Sequence, residues 1–122
     1  MDPTFTLEQA REMLPDVRRH AGDLIVVRAD LVELTGAIRM ERPSPIGGVP
    51  EAKALEARLH DILEWFTTEG IEVKGFAPLI VDFPSELAGD PVLLCWLEGE
   101  TELEWYHRAE HGFMGRRRLP ED

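Results

Sequence analysis

The chain has 122 residues, about one domain by size, and carries 13 basic against 24 acidic residues for a net charge of −11. That balance argues against a nucleic-acid binder and against a polybasic membrane anchor, since both need a cationic surface. Hydrophobic residues make up 43% and charged residues 30%, the composition of a globular domain, and the single cysteine, Cys95, excludes an internal disulfide. The acidity is local, because residues 51–110 hold 4 basic and 14 acidic residues while residues 1–50 are nearly balanced. The first ten residues, MDPTFTLEQA, lack the basic-then-apolar order of a signal peptide, and no apolar run approaches a membrane span. The expected location is therefore cytoplasmic.

The predicted elements begin with Thr6, which can cap a short helix from Leu7 with Glu8 in its first turn. Pro15 is expected to interrupt that helix and to open a second, longer one. Val17, Ala21, Leu24, Arg28, Leu31, Thr35 and Ile38 recur at steps of three and four to about Met40, with Ile25 and Val32 widening the stripe. Gly22 and Gly36 weaken this helix by roughly 1 kcal/mol each relative to alanine. Residues 42–50, RPSPIGGVP, read as a loop. A further helix runs from Glu51 to about Glu69, with Ala52, Leu55, Leu59, Ile62 and Phe66 on one face. Gly70 stands where a left-handed cap is wanted, followed by Ile71. The two long helices most simply form an antiparallel hairpin.

After Gly70 the period changes to two. Ile71–Lys74, Leu79–Phe83, Val92–Leu97 and Leu103–His107 read as three or four short antiparallel strands, separated by turns at Gly75–Pro78, Pro84–Pro91 and Glu98–Glu100. The expected fold class is α+β, a long antiparallel helical hairpin packed on a small three- or four-stranded antiparallel sheet. A single domain over 1–122 is expected, with a helical half (1–69), a β half (70–109) and an irregular Arg-containing tail (110–122).

Chemically capable residues gather in the β half. His107-Arg-Ala-Glu110-His111 matches an inverted zinc-protease pattern, but that pattern works on a helix, and here it follows a strand and meets Gly112 at once. Alternation places Leu103, Trp105 and His107 on one side of their strand and Glu102, Glu104 and Tyr106 on the other. His107, with Asp82 on an earlier strand and Glu100 at a turn, forms a minimal nitrogen and oxygen set for a divalent metal, or a general acid-base pair. The plainer alternative is a histidine and an aspartate that satisfy each other. Cys95 lies in the apolar stretch VLLCWL and reads as an inert hydrophobe. Trp65, Trp96 and Trp105 read as core. Arg116 could hold an anion, yet Arg116–Arg118 more simply fold back onto the acidic 51–110 surface.

The order of several segments resembles the small bacterial family known as domain of unknown function 2203. The matching pieces are FTLEQA (5–10) with Leu14-Pro15, GIEVK (70–74), LIVDFP (79–84), LCW (94–96), Gly99-Glu100, WYH (105–107), Gly112-Phe113 and GRR (115–117). The resemblance implies a small cytoplasmic bacterial protein without an assigned activity, and it marks Asp82, Glu100, His107 and Arg116 as motif positions.

Two functional expectations follow. The first is a non-enzymatic interaction or self-association domain, in which leftover apolar helix surface is covered by a homodimer partner or another protein. The second is a metal- or small-anion-binding protein, with His107, Asp82 and Glu100 as ligands of a divalent ion and Arg116 as the anion holder. The second expectation covers an enzyme as well as a simple binder. Neither expectation involves nucleic acid or membrane.

Overall fold

A computed structural model describes residues 4–120. It is an α+β chain with two helices, α1 (Leu7–Arg39) and α2 (Val49–Thr68), followed by five strands. The strands are β1 (Glu72–Phe76), β2 (Leu79–Leu87), β3 (Asp90–Leu97), β4 (Trp105–His107) and β5 (Arg117–Arg118). They form one antiparallel sheet in chain order. The sheet thus has five strands, not three or four. The tail is not irregular either, because a 3-10 turn at Phe113–Gly115 leads into β5, which pairs with β4. Two compact units result, residues 19–65 and residues 4–18 with 66–120.

Pro15 does not break the first helix, which runs without interruption from Leu7 to Arg39. Proline inside a helix removes one hydrogen bond and costs about 3 kcal/mol. Ala10, Leu14 and Val17, one face at steps of four and three, are all buried, and their shared burial offsets that cost. The start of α1 is closed by a reciprocal cap. Thr6 Oγ1 accepts from Gln9 N at 3.0 Å, and Gln9 Oε1 accepts from Thr6 N at 2.9 Å. α2 begins two residues earlier than the sequence suggested, because Glu51 Oε1 accepts from Gly48 N at 2.7 Å and holds the first turn.

Both helices end in the same way. Ile71 N donates to Phe66 O and Gly70 N to Thr67 O, with Gly70 at φ 83°, as its position after the stripe predicts. Arg42 N donates to Ala37 O and Glu41 N to Ile38 O around Glu41 at φ 53°, a left-handed position held by a residue other than glycine.

Within the 19–65 unit the helices run antiparallel. His20 stacks on Trp65 with ring centroids 3.8 Å apart, and Arg58 pairs with Asp23 at 3.5 Å. Ala21, Leu24, Val27, Leu34, Ala37, Ala52 and Ile62 are buried here. The α2 stripe is as expected. On α1 the buried face passes through Val27 and Leu34, so Ile25 (39% exposed), Val32 (68%) and Ile38 (36%) lie outside it.

The sheet also departs from the expected turn at Pro84–Pro91. β2 runs through Pro84 to Leu87, and the turn is only Ala88-Gly89, both at positive φ (52° and 85°). Such a two-residue turn suits the twist of paired strands. Pro84 is tolerated because β1 pairing ends at Asp82, and the Pro84 carbonyl accepts instead from Phe5 N at 2.7 Å. The N and C=O of one strand residue point to the same side, so the missing N–H of Pro84 faces away from β3 and costs no ladder bond.

Register then sorts the side chains. Val81, Phe83 and Ser85 oppose Trp96, Leu94 and Val92 on one buried face. That face meets the start of α1 through an edge-on Phe5–Phe83 contact and the Ser85 Oγ bond to Phe5 O. Asp82 opposes Cys95, and Pro84 opposes Leu93, on the other face. β4 continues that second face with Trp105 opposite Cys95 and His107 opposite Leu93.

Candidate metal centre

Three strands bring three different ligand types together on the second face. Asp82 (0% exposed), Cys95 (0%) and His107 (3%) each place one potential ligand atom within 4.8 Å of the other two. His107 Nε2 lies 3.0 Å from Asp82 Oδ2, and its Nδ1 lies 2.9 Å from the Arg108 carbonyl oxygen. A carbonyl oxygen only accepts, so Nδ1 carries the proton that it donates. Nε2 is thereby turned toward Asp82 and Cys95, and a single proton lies between Nε2 and Oδ2. A hydrogen bond from one ring nitrogen to a carbonyl is the arrangement that orients the other nitrogen as a metal ligand.

Burial raises the Asp82 pKa above the ordinary carboxylate value, against the pull of His107, Cys95 and Lys74. The other carboxylate oxygen, Oδ1, is buried without a hydrogen-bond partner. Burial and then the neighbouring Asp82 push the Cys95 thiol up to about 12, only partly countered by Arg116. With no cation present Cys95 is a neutral thiol, as the apolar stretch around it suggested.

A bulge between Val73 and Gly75 carries Lys74, whose Nζ lies 2.9 Å from Glu72 Oε1 and 3.9 Å from Asp82 Oδ2. Lys74 is 45% exposed and is the group through which the buried carboxylate meets the surface. Gly75 beside it lets the strands approach closely, since a Cβ there would come within 2.9 Å of Ile80 Cδ1 and 3.1 Å of the Pro78 carbonyl and would have to displace them.

Of the four residues singled out in sequence, Asp82 and His107 meet, whereas Glu100 and Arg116 meet each other. Glu100 Oε1 accepts from Leu97 N and from Arg116 Nη2, both at 2.7 Å, and its carbonyl accepts from Trp96 Nε1 at 3.0 Å. It closes the turn after β3 and stands outside the buried trio. Arg116 also donates to the Cys95 carbonyl at 3.2 Å, with its guanidinium 4.9 Å from the centroids of both Trp105 and Phe113. This is the fold-back of the arginine segment onto the acidic strand region, repeated where Arg118 bonds Glu104 at 2.9 Å. Cys95, an inert hydrophobe by its apolar sequence surroundings, is the member that completes the trio. The signal was the Ala88-Gly89 turn, because a hairpin closed there forces Asp82 opposite Cys95. His111 and Glu110 are exposed and take no part in the trio.

Fold and site together define a small α+β protein with a buried aspartate–cysteine–histidine cluster on its antiparallel sheet. The chain matches the family model described as uncharacterized conserved protein (DUF2203) over residues 3–119, and it belongs to that family. No match was found among curated proteins or among solved structures. No helix among the described residues is long and apolar enough to cross a membrane.

Proposed function

We propose that this protein binds one transition-metal dication of the zinc type through Asp82 Oδ, Cys95 Sγ and His107 Nε2. One observation carries the proposal: three buried ligand atoms of three kinds lie within 4.8 Å of one another, with the imidazole already oriented from behind. Tetrahedral zinc with bonds of 2.0–2.3 Å separates its ligands by about 3.5 Å, so closing the trio around an ion needs only small side-chain adjustments. A thiolate and an imidazole beside one carboxylate favour zinc, cobalt or iron over magnesium or calcium, which take oxygen ligands. The cation would replace the proton shared by Asp82 and His107 and the proton of Cys95. Its charge would compensate two groups that burial otherwise keeps from ionising freely.

The test is metal content and cobalt spectroscopy on protein purified without a nickel column. Wild type should hold close to one equivalent of zinc, and cobalt substitution should give a thiolate-to-metal charge-transfer band. Cys95→Ser should lose that band, and His107→Ala should lose most of the affinity. Glu100→Gln, outside the trio, should retain both. Folded wild-type protein that takes up neither zinc nor cobalt would overturn the proposal.

A further inference from the structure

Helix α1 carries two seams. One is the buried face through Leu24, Val27, Leu34 and Ala37. The other is Gly22, Ile25, Ala29, Val32 and Gly36, spaced three and four apart without a charged member, as in a coiled-coil seam. Gly22, Ile25, Ala29 and Val32 are exposed and Gly36 is half-exposed, and Val26 beside them is 61% exposed. The two glycines have no reason within their own chain, since a Cβ built on either would touch nothing within 4 Å. Glycine is the poorest helix former after proline, so two of them on one exposed seam point to a close neighbour from outside the chain.

We propose that this seam packs antiparallel against the same seam of a second copy, about a two-fold axis between Ile25 and Ala29. Size complementarity selects this pairing. Ile25 of one copy meets Ala29 of the other, and Gly22 meets Val32, so these central layers each join a small residue to a large one, while Gly36 falls opposite the longer Arg18. Parallel pairing in register would set Gly22 on Gly22 and Ala29 on Ala29 and leave voids. Charge complementarity selects it as well. Along the exposed flank Val26 meets its own copy at the axis, and Glu33 falls opposite Arg19 of the other copy on both sides. Both residues are exposed in the single chain, where Arg19 also has an interaction of its own. On the other flank Arg28 meets its own copy, and it has an interaction within its chain. The contact is isologous and closes at two copies.

Sedimentation of the full chain over a concentration series tests this. Wild type should form a dimer. Val32→Lys should abolish it. Gly22→Leu should do so too while raising helicity by circular dichroism, which shows that the fold survives. Glu33→Arg alone and Arg19→Glu alone should each weaken association about tenfold, and the double variant should restore it. A monomeric wild type, a dimer indifferent to Val32→Lys or Gly22→Leu, or a charge swap that fails to restore pairing would overturn the proposal. So would rescue of Glu33→Arg by Arg28→Glu in place of Arg19→Glu, because those two positions pair only in a parallel dimer.

Discussion

His107 Nε2 and Asp82 Oδ2 are 3.0 Å apart, both residues are buried, and the opposite ring nitrogen of His107 is tied to the Arg108 carbonyl. The pair is therefore held from both ends and cannot exchange partners with solvent. Removing one member should leave a buried polar group uncompensated. His107→Leu or Asp82→Val in metal-free protein should each cost about 3 kcal/mol by urea denaturation. Replacing both should cost clearly less than the sum, because neither is then left without its partner.

Cys95 sets an alkaline limit. Its folded-state pKa, about 12, lies above the ordinary thiol value of 9.0. A raised pKa means that the folded protein keeps a proton the unfolded chain releases, so the contribution is complete below pH 9 and lost as pH rises toward 12. The full loss is on the order of 4 kcal/mol. Denaturation midpoints of metal-free protein should fall between these pH values, and Cys95→Ala should fall less. Equal slopes in the two proteins would refute the assignment.

Asp82 acts on the acid side in the same direction. Its pKa is raised above 3.8 by burial, so its stabilising contribution is greatest below that pH and declines as pH climbs through the raised value. Asp82→Asn removes the titrating group. The difference in unfolding free energy between wild type and this variant should shift with pH above about 4, and a pH-independent difference would count against a raised pKa.

Glu41 and Gly70 occupy equivalent left-handed positions at the two helix ends. A side chain at positive φ costs roughly 1 kcal/mol. Glu41→Gly should raise stability by about half of that, once the added freedom of the unfolded chain is counted. Gly70→Ala should lower stability by 1 kcal/mol or somewhat more. Thermal unfolding of the two variants checks the opposite signs.

Glu100 joins a strand amide, Arg116 and the turn. Glu100→Ala leaves Leu97 N and the Arg116 guanidinium short of an acceptor in a part-buried setting, and should cost about 2 kcal/mol. Metal content should not change, which separates this structural carboxylate from Asp82.

Local rules carried much of the helical part. The α2 stripe, the Gly70–Ile71 end and the Thr6 cap follow from spacing and from the hydrogen-bonding needs of helix termini, which neighbouring residues meet. The reciprocal bond from Thr6 N to Gln9 Oε1 goes beyond the single Thr6 cap expected from sequence. Pro15 and Pro84 were misleading because a proline's penalty is local while its compensation is not. Burial of Ala10, Leu14 and Val17 keeps the helix whole in one case, and a bond from Phe5, 79 positions away in sequence, occupies the open edge in the other.

Residue order alone carries the α+β class, the Thr6 cap, the Gly70–Ile71 helix end, the arginine fold-back onto acid and the candidacy of Asp82 and His107. Which candidates meet is set by strand pairing. A strand's period of two assigns each residue to one of two faces, but which faces coincide depends on register, and register depends on which two residues make the turn. Closing the hairpin at Ala88-Gly89 put Cys95 opposite Asp82, and pairing β4 in register brought His107 beside them. The same folding step sent Glu100 to the turn and to Arg116. A shift of one residue would have turned the thiol to the opposite face, and no local property of Val-Leu-Leu-Cys-Trp-Leu distinguishes the two outcomes.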